Sequence, residues 1–170
     1  MVDVFEQVEE ELRSERYKRL ARTWLPILGG LLAVALVAAL AWWGWQSYVS
    51  SQADKASAAY EQGVQALQAG KPAEAKTAFA ESAKAGGGYK ALALMQQAGL
   101  AQAENKTTEA VALLDEAAKA AKDPILSDIA ALKAVFLVMD TASLEDVQKR
   151  LEPLTGDKRP MQAFAQEALA

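Results

Sequence analysis

Between Arg22 and Asp54 the chain carries no charged side chain, and residues 25–45 form an apolar run of 21 residues. At ~1.5 Å per helical residue such a run spans about 30 Å, the thickness of a bilayer's hydrocarbon core. Trp24 stands at one end, and Trp42, Trp43, Trp45 and Tyr48 stand at the other, where amphipathic rings favour the headgroup level. All four tryptophans of the chain belong to this one segment. Pro26 falls in the first turn, where a missing N–H costs nothing, and the Gly29-Gly30 pair is tolerated in a membrane helix. A buried core helix is excluded as a reading because the run has no polar face.

Ala39-Leu40-Ala41 resembles a site for signal peptidase, so a cleaved secretory signal is the competing reading. A signal opens on a short basic region and has an apolar core of roughly 7–15 residues, whereas this run is longer and follows an acid-rich segment. A permanent anchor over residues 24–48 is therefore expected. Arg13, Arg16, Lys18, Arg19 and Arg22 precede it, and only Lys55 follows within twenty residues. Because positive charge is retained in the cytoplasm, residues 1–23 are expected there and residues 49–170 outside.

The remaining composition narrows the function. With neither cysteine nor histidine, the chain lacks disulfides, thiolate nucleophiles, imidazole bases and the usual zinc ligands. Residues 1–24 carry five basic and six acidic side chains, and residues 49–170 carry 13 and 16, so neither part is a polycation suited to nucleic acid. Residues 2–22 read as a short amphipathic helix, with Val4, Phe5, Val8 and Leu12 on one face and acids preceding bases, in keeping with the helix dipole. Such a helix serves either as a solvated lead-in or as a docking element for a cytoplasmic partner.

From residue 51 onward the sequence is alanine-rich, with helical apolar spacing interrupted near 70, 86, 105, 123, 141 and 156. Ala110, Leu113, Leu114 and Ala117 show that spacing, as do Ile125, Ile129, Leu132, Val135, Phe136 and Met139. No stretch alternates as a strand would. The interruptions outline a repeat of tetratricopeptide type, in which small residues permit helices to cross closely and an aromatic fills the groove. Gly63, Gly70, Ala75 and Phe79 are the expected packing residues of the first copy. Ala110, Leu114 and Ala117 stand 35 residues beyond Ala75, Phe79 and Ser82, and Val147, Leu151 and Leu154 stand 37 further on. The predicted class is all-α: an amphipathic helix, one transmembrane helix, and helical hairpin repeats stacked as an α-solenoid, with an irregular helical bundle as the alternative to the repeats.

Other features yield no chemistry. Gly86-Gly87-Gly88 lacks the lysine and hydroxyl residue of a phosphate loop and reads as a turn between helix pairs. Asp115-Glu116 and Glu145-Asp146 are adjacent carboxylates that point different ways on a helix, as solvated surface residues do. Asn105-Lys106-Thr107 matches a glycosylation sequon, but a loop whose Thr107 or Thr108 caps the next helix is the expected role. No catalytic, cofactor or metal site and no small-molecule substrate are expected.

In VFEQVEEELRSERYKRLARTW, GWQSY at 44–48, the repeat around Tyr60, and SDIAALKAVFLV followed by RLEPL, the chain resembles the YfgM-like ancillary subunits of the Sec translocon in their alphaproteobacterial form. That resemblance implies a single-pass protein of the bacterial inner membrane whose periplasmic repeats associate with the secretion channel and with periplasmic chaperones. It also implies further helices after the last residue here, since members of that family carry them. A structural accessory subunit of another inner-membrane complex, such as a respiratory assembly, is the alternative; an enzyme is not expected.

Overall fold

The computed structural model describes residues 3–86 and 88–170, with side chains from Arg22 onward. Every regular element among these residues is helical. Helix α1 runs Asp3–Gln68, followed by α2 (Pro72–Ala85), α3 (Tyr89–Ala103), α4 (Thr107–Ala120), α5 (Pro124–Val138), α6 (Leu144–Leu151), a 3-10 turn at Glu152–Leu154, and α7 (Gln162–Leu169). The chain divides into two units, Met1–Tyr48 and Val49–Ala170.

In the first unit, the lead-in expected as a separate short helix is continuous with the apolar run, because residues 3–48 all lie within α1. Pro26, expected in a first turn, lies inside this helix because the helix begins far upstream of it, and a single proline is tolerated in a long apolar helix. The face carrying Val4, Phe5, Val8 and Leu12 lies outside the described side chains, as do Arg13, Arg16, Lys18 and Arg19. Arg22, Trp24, Trp42, Trp43, Trp45 and Tyr48 are exposed, and so are Leu25, Leu32, Val34 and Leu36 along the run between them. The helix is long and apolar enough to cross a membrane.

In the second unit the interruptions fall where the sequence places them, and several have a visible local cause. Gly70 adopts φ +70° and closes α1 by donating from its N–H to the Leu67 carbonyl, while Lys71 N–H reaches Ala66 O. This is a left-handed helix stop that glycine makes without steric cost. Asn105, 35 residues on, repeats it at φ +58°, with Asn105 N–H on Gln102 O and Lys106 N–H on Ala101 O. Asparagine is among the few residues that tolerate that region. Pro72 and Pro124 occupy first turns, the Asp123 carboxylate accepts from Ile125 N–H at 2.8 Å, and Ser143 Oγ accepts from Asp146 N–H at 3.1 Å. The threonine cap expected for α4 is absent: Lys106 holds the cap position, no side chain bonds there, and Thr107 is already helical. The Asn105 turn accounts for this, since it delivers the chain directly into the helix.

Ala75, Phe79, Ser82, Ala110, Leu114, Ala117, Val147, Leu151 and Leu154 are all buried. Ser82, the one polar member, is satisfied because its Oγ donates to Ala56 O at 2.8 Å. The third copy deviates at its end, where Leu154 is presented by the 3-10 turn rather than by α6. Helices neighbouring in the chain pack on one another from α2 to α7. Alternate helices are also linked: Lys76 of α2 pairs with Glu109 of α4 at 3.4 Å, and Arg150 of α6 pairs with Asp115 of α4 at 2.9 Å. Tyr60 of α1 accepts from Gln96 of α3 at 3.1 Å and stacks, tilted, on Phe79 and Tyr89 at 5.5 and 5.6 Å.

Candidate protein-interaction site

The residues expected to pack the repeats divide by role. A Cβ on Gly63 would stand 2.6 Å from Phe79 Cε1, so only a bare backbone lets the ring lie there. Gly70 has no atom within 4 Å of such a Cβ, and is the turn residue described above instead of a packing residue. Sixteen residues separate Gly63 from Phe79, and the same spacing relates Ala98 to Leu114 and Val135 to Leu151. Each of the latter pairs shares a hydrophobic cluster. Glycine faces phenylalanine, and alanine and valine face leucine, so bulk on one helix is traded against bulk on the other at each crossing.

The polar residues serve structure. Asp115, expected to be solvated, instead binds Arg150 Nη1 through both carboxylate oxygens at 2.9 and 3.1 Å. Its neighbour Glu116 turns to Lys90 at 3.0 Å, and Asp146 accepts from Ser143 Oγ at 2.6 Å. Lys106 donates to Glu104 at 2.6 Å across the α3–α4 turn; that hydrogen bond, with the attraction of the two charges, holds the Glu104 carboxyl below its ordinary value and the Lys106 ammonium above its own. Both are exposed, and water screens the pair. Asp128 went unnoticed in the sequence. It is fully buried in α5, where it receives Arg159 Nη2 and, at 3.3 Å, Met161 N–H. Its signal was an acid at a position with the helical spacing of the core, 31 residues before its partner.

One concavity is apolar. It holds about 220 Å³ between α3 and α5, with Met95, Ala98, Gly99 and Gln102 on one wall, Lys133, Phe136 and Leu137 on the other, and Leu114 of α4 contributing to the lining. Phe136 and Met139 share the apolar spacing of Leu132 and Val135, yet the latter two are buried and the former two are exposed. The reason is that α5 is apolar nearly all round, so packing one side against α4 and α6 leaves another uncovered. Two further concavities, beside Gln62, Lys71 and Glu74 and beside Glu145, Lys149 and Glu152, are lined mainly by polar side chains.

Residues 6–168 match the family described as the tetratricopeptide repeat-like domain. The chain belongs to that family. Tetratricopeptide repeat-like domains mediate protein–protein interaction, and an apolar groove between two repeats is the kind of surface that such a role needs. No curated protein and no solved structure matches the chain significantly.

Proposed function

We propose that this tetratricopeptide repeat-like protein is a membrane-anchored interaction scaffold. The anchor is residues 24–48, the N-terminus is cytoplasmic, and residues 49–170 lie in the periplasm, with their helix pairs stacked as an α-solenoid. The observation that carries this reading is the coexistence in one chain of an uncovered apolar run, with five basic residues close before it and only Lys55 close after it, and a repeat-family unit with an exposed apolar groove. The role is one of binding, without catalysis.

Within that reading the partner is the secretion channel, which the scaffold links to periplasmic folding factors as an ancillary translocon subunit. Support comes from the resemblance of the lead-in, the GWQSY exit and the RLEPL segment. Co-purification in a gentle detergent, with mass-spectrometric identification, tests it. Channel and chaperone subunits are expected to co-elute; respiratory subunits in their place would favour an accessory role in another complex. Replacing residues 25–45 by an unrelated membrane helix should weaken channel recovery and leave cross-links to folding factors intact. Loss of every contact in that variant, with no effect of removing the repeats, would sink the scaffold reading.

A further inference from the structure

Glycine inside a helix costs stability relative to alanine, because it has more freedom to lose on folding. Two structural circumstances require it nonetheless: a backbone conformation closed to other residues, or a neighbour too close for a Cβ. Gly63 meets the second. Gly99, the other glycine inside a helix of the repeat unit, meets neither, since its φ is not positive and a Cβ there would find no atom within 4 Å. Val64, the residue 35 positions earlier in the first repeat, packs against the core, so the equivalent place does accept a side chain.

Gly99 is exposed on the wall of the α3–α5 groove, opposite Phe136. Its missing side chain leaves backbone open to close approach from outside. At ~30 Å³ per water, a volume of about 220 Å³ corresponds to several waters and accommodates one large apolar side chain. Lys133 is the single charged residue of the lining, and it makes no ion pair among the described residues. The remaining charges of the two walls are already engaged: Lys90 with Glu116, and Asp128, buried, with Arg159. The groove is therefore apolar with one free cation, and its complement is apolar with an acid.

We infer that this groove receives an acidic, amphipathic polypeptide segment of a partner protein, which lies against the α3 backbone at Gly99, seats one apolar side chain against Met95 and Phe136, and sets a carboxylate on Lys133. The inference rests on the scaffold reading and names the chemistry of the partner at that site.

A phage-displayed random heptapeptide library, panned on the full chain in lipid nanodiscs, tests it. Enriched peptides should pair a large apolar residue with aspartate or glutamate. Gly99→Leu should keep helicity and melting temperature while lowering retention of those peptides at least tenfold, because a Cβ there meets no neighbour and the rest of the leucine side chain occupies the groove. Lys133→Glu should shift enrichment to peptides carrying lysine or arginine; if Gly99→Leu loses helicity, this charge preference decides alone. Equal retention by Gly99→Leu in its folded state, no change of charge preference with Lys133→Glu, or no enrichment at all would overturn the inference. The two readings fail separately. Partners that still co-purify with Gly99→Leu leave the scaffold standing and overturn the groove, whereas a wild-type chain that co-purifies with nothing removes the scaffold itself.

Discussion

Phe79 lays its ring where Gly63 has no side chain, with Cε1, Cδ1 and Cζ all within 2.9 Å of the place a Cβ would occupy. Phe79 is completely buried, so the ring cannot retreat into solvent. The crossing of α1 and α2 is thereby fixed by the absence of one methyl group. Gly63→Ala should destabilise the repeat unit by about 1–2 kcal/mol, the cost of overpacking exceeding alanine's helical advantage. Phe79→Leu alone should cost about 1–2 kcal/mol by leaving a cavity. The double variant reproduces the Ala98–Leu114 pair of the second repeat and should lose less than the sum, by about 0.5 kcal/mol or more. Denaturant titration of the four chains checks this; strict additivity would show that ring and glycine are not coupled.

Asp128 and Arg159 clip the segment before α7 to α5. Arg159 is about one-third exposed, so the loss on Asp128→Asn should fall below that of a fully buried pair, at roughly 1–3 kcal/mol. The loss should be local. Hydrogen exchange is expected to accelerate in residues 155–170 while α2, α3 and α4 keep their protection, and uniform acceleration throughout the unit would contradict the clip.

Asp115 and Arg150 join α4 to α6 through one guanidinium nitrogen that both carboxylate oxygens share, and their side chains are more than one-third exposed. Arg150→Asp should cost no more than about 1 kcal/mol, and much of that should vanish at 1 M salt. Asp115→Arg combined with Arg150→Asp should restore the wild-type midpoint. A penalty independent of salt would mean that packing of the arginine stem, and not charge, holds the two helices.

Since the repeat unit has no tryptophan, intrinsic tryptophan fluorescence reports on residues 24–45 alone. In bilayers containing brominated acyl chains the emission should be strongly quenched, and protease added to spheroplasts should digest residues beyond 50 while sparing a tag at position 2. Unquenched emission would remove the anchor. An accessible tag would reverse its orientation, and a mature chain beginning at Trp42 would replace the anchor by a signal.

The helical class and the places where helices stop were legible in the sequence, because each depends on local chemistry or on a period. Proline at a first turn, glycine or asparagine at a left-handed stop, and apolar residues every three or four positions act within a few residues of themselves. The uncovered run at 25–45 was legible for the same reason, since its length and lack of charge are properties of the segment alone.

What the tertiary structure decided is which partner each residue meets. Gly63 and Gly70 look alike in sequence, yet one admits a ring from another helix and the other turns the chain, because only the fold brings Phe79 to the first. Phe136 and Val135 share one apolar period on α5, and the placement of α4 and α6 buries the second and leaves the first at the groove. Asp128 and Arg159 lie 31 residues apart, and Asp115 and Arg150 lie 35 apart. A charge carries no mark of the distant charge that will face it, so such pairs arise only when packing has set the helices side by side.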